Sequence, residues 1–162
     1  MIDAQIVETL VREYLSKHAE YELITCTVSK DNNILVEVDS YNGVDLDFCA
    51  EMNRHLQAEL DKTAENYELE VGSVSLTAPF KTLMQYNKHI GDDVEVLTKA
   101  EDKGKGQSAK YKGVLVNAEP EYFEIDTEVL VPVEGKKKKE RRTEPLRFGY
   151  DEVQYCRYDL KI

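Results

Sequence analysis

Three histidines and three cysteines are the residues of this chain best suited to metal or nucleophilic chemistry. His18, His55 and His89 are far apart, with no HExxH and no Cys/His ligand cluster. Glu51, His55 and Glu59 recur at i, i+4 and i+8, which places them on one helical face. That spacing could hold a metal, but it equally describes a solvated face with local ion pairs, which needs no ion. Asp39, Asn42, Asp45 and Asp47 make an acidic turn without the ligand spacing of a calcium loop, so capping and turn roles account for them. Cys26, Cys49 and Cys156 form no CxxC and are too few for a disulfide framework, which points to reduced thiols. There is no Walker phosphate loop, no GxGxxG and no GxSxG elbow. Gly104-Lys105-Gly106 suits a hairpin loop better than a phosphate cradle. The expectation is a chain without catalytic residues, cofactor or metal; a thiol or metal hydrolase is the enzyme-class alternative.

Charge carries more information. Net charge is −11, and all of it belongs to the first half: residues 1–80 hold 5 Lys/Arg and 16 Asp/Glu, while residues 81–162 hold 16 of each. An acidic surface repels phosphates and attracts basic protein. In the second half the base is concentrated in one run: Lys136, Lys137, Lys138, Lys139, Glu140, Arg141 and Arg142. Six cations so close together can neutralise several RNA phosphates and release their counterions; the plainer alternative is a solvated loop, and Glu134 and Gly135 suit its tip.

The elements that must position these residues follow from hydrophobic spacing. Ile6, Val7, Leu10, Val11, Tyr14 and Leu15 form one helical stripe, with Asp3 as a cap. YELITCTVSK and NILVEVDS read as a hairpin turning at Lys30-Asp31-Asn32-Asn33, with Ile34, Val36 and Val38 on one side and Leu35 and Glu37 on the other. A second helix starts near Asp45, with Leu46, Cys49, Ala50, Asn53, Leu56 and Leu60 as its inner face, and YELEVGSVSL is a third strand. The first half is therefore α-β-β-α-β, a small sheet with both helices on one face. Pro79 and the polar stretch KTLMQYNKH, which could be helical, mark a join. Beyond it DVEVLTK, AKYKGVLVNA, EYFEIDTEVLVPV, EPLRFGY and EVQYCRYDL read as strands of a small closed barrel. The expected organisation is 1–80, an acidic α/β domain; 81–90, a linker; and 91–162, a β-barrel. The α/β order has the look of KH-type RNA-binding domains, but there is no GxxG loop to clamp a backbone. Tyr111, Tyr122, Phe123, Phe148, Tyr150, Tyr155 and Tyr158 could stack bases, or simply fill and rim the barrel. No apolar run approaches the roughly 20 residues of a membrane span, and MIDAQIVETLVREYL has spaced apolar residues and no basic flank, unlike a signal peptide.

Three stretches together resemble the RimP family of ribosome maturation factors. ILVEVDSYNGVDLDFCAEMNRHLQAELD resembles the family's strand, Asp-containing turn and helix. YELEVGSVSLTAPFK resembles its Leu-Glu-Val-Ser-Ser-Pro-Gly-Leu-x-Arg-Pro-Leu string. HIGDDVEVLTK, YKGVLVNAEPEYFEID and FGYDEVQYCRYDL resemble its small Sm-like barrel. Leu69, Glu70, Val71, Ser73, Leu76 and Pro79 keep the second pattern; Gly72-Ser73-Val74-Ser75 replaces its Ser-Ser-Pro-Gly, and Ala78 replaces its arginine. Whatever that arginine contributes cannot be carried over. The Lys136–Arg142 stretch is longer and more basic than the family pattern.

The resemblance implies an α+β chain whose α-β-β-α-β module precedes an Sm-like all-β barrel. It implies a non-catalytic, cytoplasmic, monomeric factor that binds the immature small ribosomal subunit and promotes its assembly. On this reading Asp45, Asp47, Glu51, Glu68 and Glu70 face a basic ribosomal protein. Lys136, Lys137, Lys138, Lys139, Arg141 and Arg142 reach ribosomal RNA phosphates. The competing reading is a free-standing Sm-like RNA-binding chaperone of small RNAs, a class that closes into rings.

Overall fold

A computed structural model describes residues 1–100, 108–131, 134–135 and 138–161, with the backbone alone at Val131. The chain divides into two units, Met1–Ser75 and Leu76–Ile162, each with its own core.

The first unit runs α1 (Ala4–Leu15), β1 (Tyr21–Val28), β2 (Asn33–Ser40), α2 (Leu46–Leu60) and β3 (Glu68–Ser73). This is the α-β-β-α-β order expected from the hydrophobic spacing. Asp3 caps α1, its Oδ1 accepting from the Gln5 N–H at 2.9 Å. Asp45 caps α2, accepting from the Asp47 N–H at 2.9 Å. Each cap satisfies a backbone donor that the first helical turn leaves open. β1 and β2 pair antiparallel, and β2 and β3 pair parallel, so α2 is the crossover between two parallel strands. The β1–β2 turn holds Asn32 at φ 58, a left-handed conformation that asparagine tolerates. Its side chain joins two segments, accepting from the Ile2 N–H at 2.9 Å and donating to the Asn66 carbonyl at 3.0 Å.

Ile34, Val36 and Val38 are buried against both helices, as the alternation of β2 predicts, while Leu35 and Glu37 stay half-buried on the other side. The inner face of α2 differs from expectation. Phe48, Cys49, Met52, Leu56 and Leu60 are buried, whereas Leu46 is 84% exposed and Ala50 is exposed. The stripe is rotated because the ring of Phe48 stacks on Tyr21, centroids 3.7 Å apart, and anchors the first turn to β1.

The second unit contains α3 (Leu83–Lys88), β4 (Asp93–Thr98), β5 (Lys110–Ala118), β6 (Tyr122–Val131), β7 (Glu140–Gly149) and β8 (Val153–Tyr158). All five expected strands form one antiparallel sheet in the order β7-β6-β5-β4-β8. The closed barrel expected from the sequence is replaced, among the described residues, by a sheet with β7 and β8 at its edges. The short link Tyr150–Glu152 carries the chain across to β4 instead of folding it back along β7. The stretch 81–90, expected as a linker, holds α3, and its Tyr86 is part of the second core beside Phe80 and Phe123. Thr82 and Gln85 close a capping box at the start of α3, which explains why so short a helix holds its shape. Gly113 lies hard against β6: a Cβ there would run into the backbone carbonyl of Asp126.

Candidate protein and RNA interfaces

The acidic candidates fall into two groups. Asp45, Asp47 and Glu51 lie along the first half of α2 and are exposed. Asp45 and Asp47 also serve the helix, since negative charge at its N-terminal end opposes the macrodipole favourably. Glu68 and Glu70 lie on β3, where Leu69 and Val71 turn inward to the helices. The alternation of a strand therefore points both glutamates to the opposite side of the sheet. One flat partner cannot cover both groups. Glu68 also lines a recess of about 600 Å³ with Gln57, Asp61, Glu65 and Tyr67. The Tyr67 hydroxyl donates to Asp61 Oδ1 at 2.7 Å, and burial together with that carboxylate pushes its pKa up to about 12.

The basic run does not form one loop. Arg141 and Arg142 lie in β7, paired with Leu130 and Val129 of β6. Lys138 and Lys139 are exposed in the connection between the two strands. Lys136 and Lys137 lie outside the described residues, as does Gly104-Lys105-Gly106. Arg141 is 3.9 Å from Glu128, and Arg142 is 3.9 Å from Glu140. These are long, solvent-exposed pairs that hold neither guanidinium firmly. Gly135, at φ 81, supplies a turn conformation that other residues rarely adopt.

The aromatic residues divide between core and rim. Phe123 and Phe148 are buried, with Tyr111, Tyr150 and Tyr158 packed against them. Tyr122 lies beneath the Arg147 guanidinium, 4.0 Å from its ring centroid, and Tyr155 is matched with Arg157 at 4.6 Å. A groove of about 380 Å³ runs between Phe80, Leu83, Tyr86, Pro120, Tyr150 and Tyr155.

A cluster not singled out in the sequence centres on Glu95, whose side chain is only 9% exposed. Arg157 donates to its Oε2 from Nε at 2.9 Å and approaches with Nη2 at 2.7 Å. The Tyr155 hydroxyl donates to the same oxygen at 3.1 Å, and Lys110 Nζ is 3.4 Å from Oε1. Burial alone would push this carboxyl up; Arg157, Tyr155 and Lys110 outweigh it and hold the pKa below the ordinary glutamate value. The signal lay in the alternation of Val94-Glu95-Val96 against Tyr155-Cys156-Arg157, an opposite-charge pair on facing strands.

The thiols are poorly suited to nucleophilic work. Burial raises the pKa of all three, that of Cys156 to about 12, so the thiolate is scarce at neutral pH. Glu59 of the Glu51–His55–Glu59 row pairs with Lys62 at 3.2 Å, and His55 packs on Tyr14 with centroids 5.0 Å apart. Among the described residues no group of three or more His, Cys, Asp or Glu is placed to hold a metal ion. No helix among them is long and apolar enough to cross a membrane.

The two units thus differ in charge: the first is strongly acidic, and the second is charge-balanced, with Arg141 and Arg142 exposed on β7. The family model of the RimP N-terminal domain matches residues 11–76, from within α1 to just past β3. The chain is 35% identical over 146 residues to the ribosome maturation factor RimP of Porphyromonas gingivalis, covering 90% of this chain and 91% of that protein. It is 30% identical over 92 residues to RimP of Flavobacterium psychrophilum, covering 57% and 60% of the two chains. It is 25% identical over 126 residues to RimP of Christiangramia forsetii, covering 78% and 77%. This chain belongs to the RimP family.

Proposed function

We propose that this protein is a ribosome maturation factor that binds the immature small ribosomal subunit in the cytoplasm and promotes its assembly without making or breaking a bond. The observation that carries this reading is the match along nearly the whole chain to a protein named ribosome maturation factor RimP. The charge division supports a two-sided mode of binding. Asp45, Asp47 and Glu51, or Glu68 and Glu70, meet a basic ribosomal protein, where complementary charge speeds encounter and sets orientation. Lys136–Lys139, Arg141 and Arg142 meet ribosomal RNA phosphates. The second unit is read as an Sm-like module, since its last strand returns to pair with its first. Binding selects one conformation of the precursor and stabilises it by mass action. The protein acts as a monomer.

Sedimentation tests this directly. The protein should cofractionate with immature small subunits and be missing from translating ribosomes. Equal distribution over both, or absence from both at low salt, refutes the reading.

A further inference from the structure

The two edges of the first sheet are unlike. β1 is broken by a register shift between Leu23 and Thr25, an irregularity that discourages a further strand. β3 pairs with β2 without a break from Asn33↔Glu68 to Val38↔Ser73, and among the described residues no strand lies on its other side. The Glu68 N–H donates to the Asn32 carbonyl at 3.0 Å, and the Val74 N–H to the Val38 carbonyl at 3.2 Å. Residues of that parity face β2, so Leu69, Val71 and Ser73 turn their N–H and C=O groups to the free edge. Neither proline nor lysine, the usual guards of an edge, occurs in Glu68–Ser73. From Leu69 to Ser73 this edge runs about 13 Å at the usual rise of a strand.

Charge decides what can lie along it. Glu68 and Glu70 are exposed on β3, and Glu37 of β2 lies on the same face, opposite Gly72. A Cβ at Gly72 would touch nothing, so the space above it is open. At the start of β3 the recess beside Glu68 adds Asp61 and Glu65. Glu65 already holds one cation, the Met1 ammonium at 2.8 Å. β2 and β3 contain no Lys or Arg. A second copy of this chain, added edge to edge, would set Glu68 and Glu70 against their own like, and like charges on facing strands are destabilising. Nucleic acid is repelled by the same groups. An extended segment with Lys or Arg at every second residue meets them instead. Its backbone continues the sheet, and its cations all fall on the face that carries Glu68 and Glu70.

We propose that β3 takes up an extended, basic protein segment as a fourth strand of the first sheet, with main-chain hydrogen bonds at Leu69, Val71 and Ser73 and alternate Lys or Arg side chains against Glu68 and Glu70. This rests on the reading that these two glutamates meet a basic ribosomal protein, and it adds the form of that partner: a strand-forming stretch instead of a folded surface. The main chain supplies affinity that tolerates many sequences, and the glutamates supply the choice among them.

The test uses the full chain and a short peptide that alternates Lys with Val or Thr. At low salt the peptide should bind and slow amide exchange at Leu69, Val71 and Ser73, read residue by residue by NMR. Glu70 and Gly72, whose N–H groups already face β2, should change little. Two versions of the peptide, N-methylated on every Lys or on every intervening residue, keep the charge. Only one of them should bind, since only one set of its amides can face β3. A peptide with Glu in place of Lys should not bind. Glu68→Gln together with Glu70→Gln, both at exposed positions, should weaken binding by about 2- to 30-fold. No binding at low salt, binding of both methylated versions or of the acidic peptide, an unaffected double variant, or binding without protection of the three amides would overturn the proposal. So would their protection in the chain alone as its concentration rises, which would identify a second copy as the occupant. Failure here is separable from failure of the assembly role. If the unaltered chain sediments with immature subunits while the peptide leaves the three amides unprotected, only strand addition is wrong.

Discussion

Glu95 illustrates how a single side chain can be costly alone and stabilising in company. Its carboxylate is desolvated, and three donors compensate it. Glu95→Gln removes the charge that Arg157 and Lys110 were placed to meet, and should cost about 1–3 kcal/mol in a urea titration at pH 7. The folded pKa is depressed, so the stabilising contribution is present above the ordinary glutamate value of about 4.3 and is lost as pH falls through the lower folded value. The difference between parent and variant should therefore shrink in acid; a difference independent of pH would rule out the charge as its origin. Glu95 was hard to read from sequence because alternation assigns it to the outer face of β4, where a charged residue is usually assumed to be in water. Only its partner strand, some sixty residues away, decides otherwise. Asp45 was legible for the opposite reason. A cap acts on its own next turn, so spacing alone reveals it.

At the scale of elements the same division between local and distant causes recurs. The helices and strands of the first unit were readable because periodicity is a local property, and β2 obeyed it residue by residue. The rotation of α2 was not, since it depends on Phe48 meeting Tyr21 across the fold. The stretch that holds α3 reads as a polar join with room for a helix and no more, because its amphipathic content is slight; the helix is held by a capping box and a buried tyrosine. Asp45→Ala should lower the stability of the first unit by about 1 kcal/mol, seen as an earlier loss of helical circular dichroism. Gly113→Ala should be more severe, about 2 kcal/mol, because its Cβ meets backbone of β6 and not a side chain that can swing away. Unchanged melting of the Gly113 variant would mean that the two strands can separate at little cost. That Arg141 and Arg142 belong to a strand is not legible in the sequence, because Glu140–Thr143 carry no hydrophobic alternation; once β7 pairs with β6, adjacency alone sends the two to opposite faces.

Across the whole molecule, the two units differ most in electrostatics. Because the first unit has its own core, the fragment Met1–Ser75 should fold, as circular dichroism can check. It should not retain free RNA on a filter at low salt, since its charge opposes phosphate. Tight retention would reverse the assignment of partners to units. Replacing Lys136–Lys139, Arg141 and Arg142 with Ser in the full chain should weaken subunit binding and flatten its salt dependence; if neither changes, the basic run is not an RNA contact. One consequence of the sheet order concerns the making of the protein itself. β4 is the first strand of its sheet to be synthesised, yet one of its two neighbours is β8, the last, with Val96 opposite Cys156. A nascent chain released early, before β8 emerges, would present the bare flank of β4 to any similar chain nearby. Chains that stop short of β8 would thus be sticky instead of merely weakened, because the sheet of the second unit gains this neighbour of β4 only when β8 has joined it.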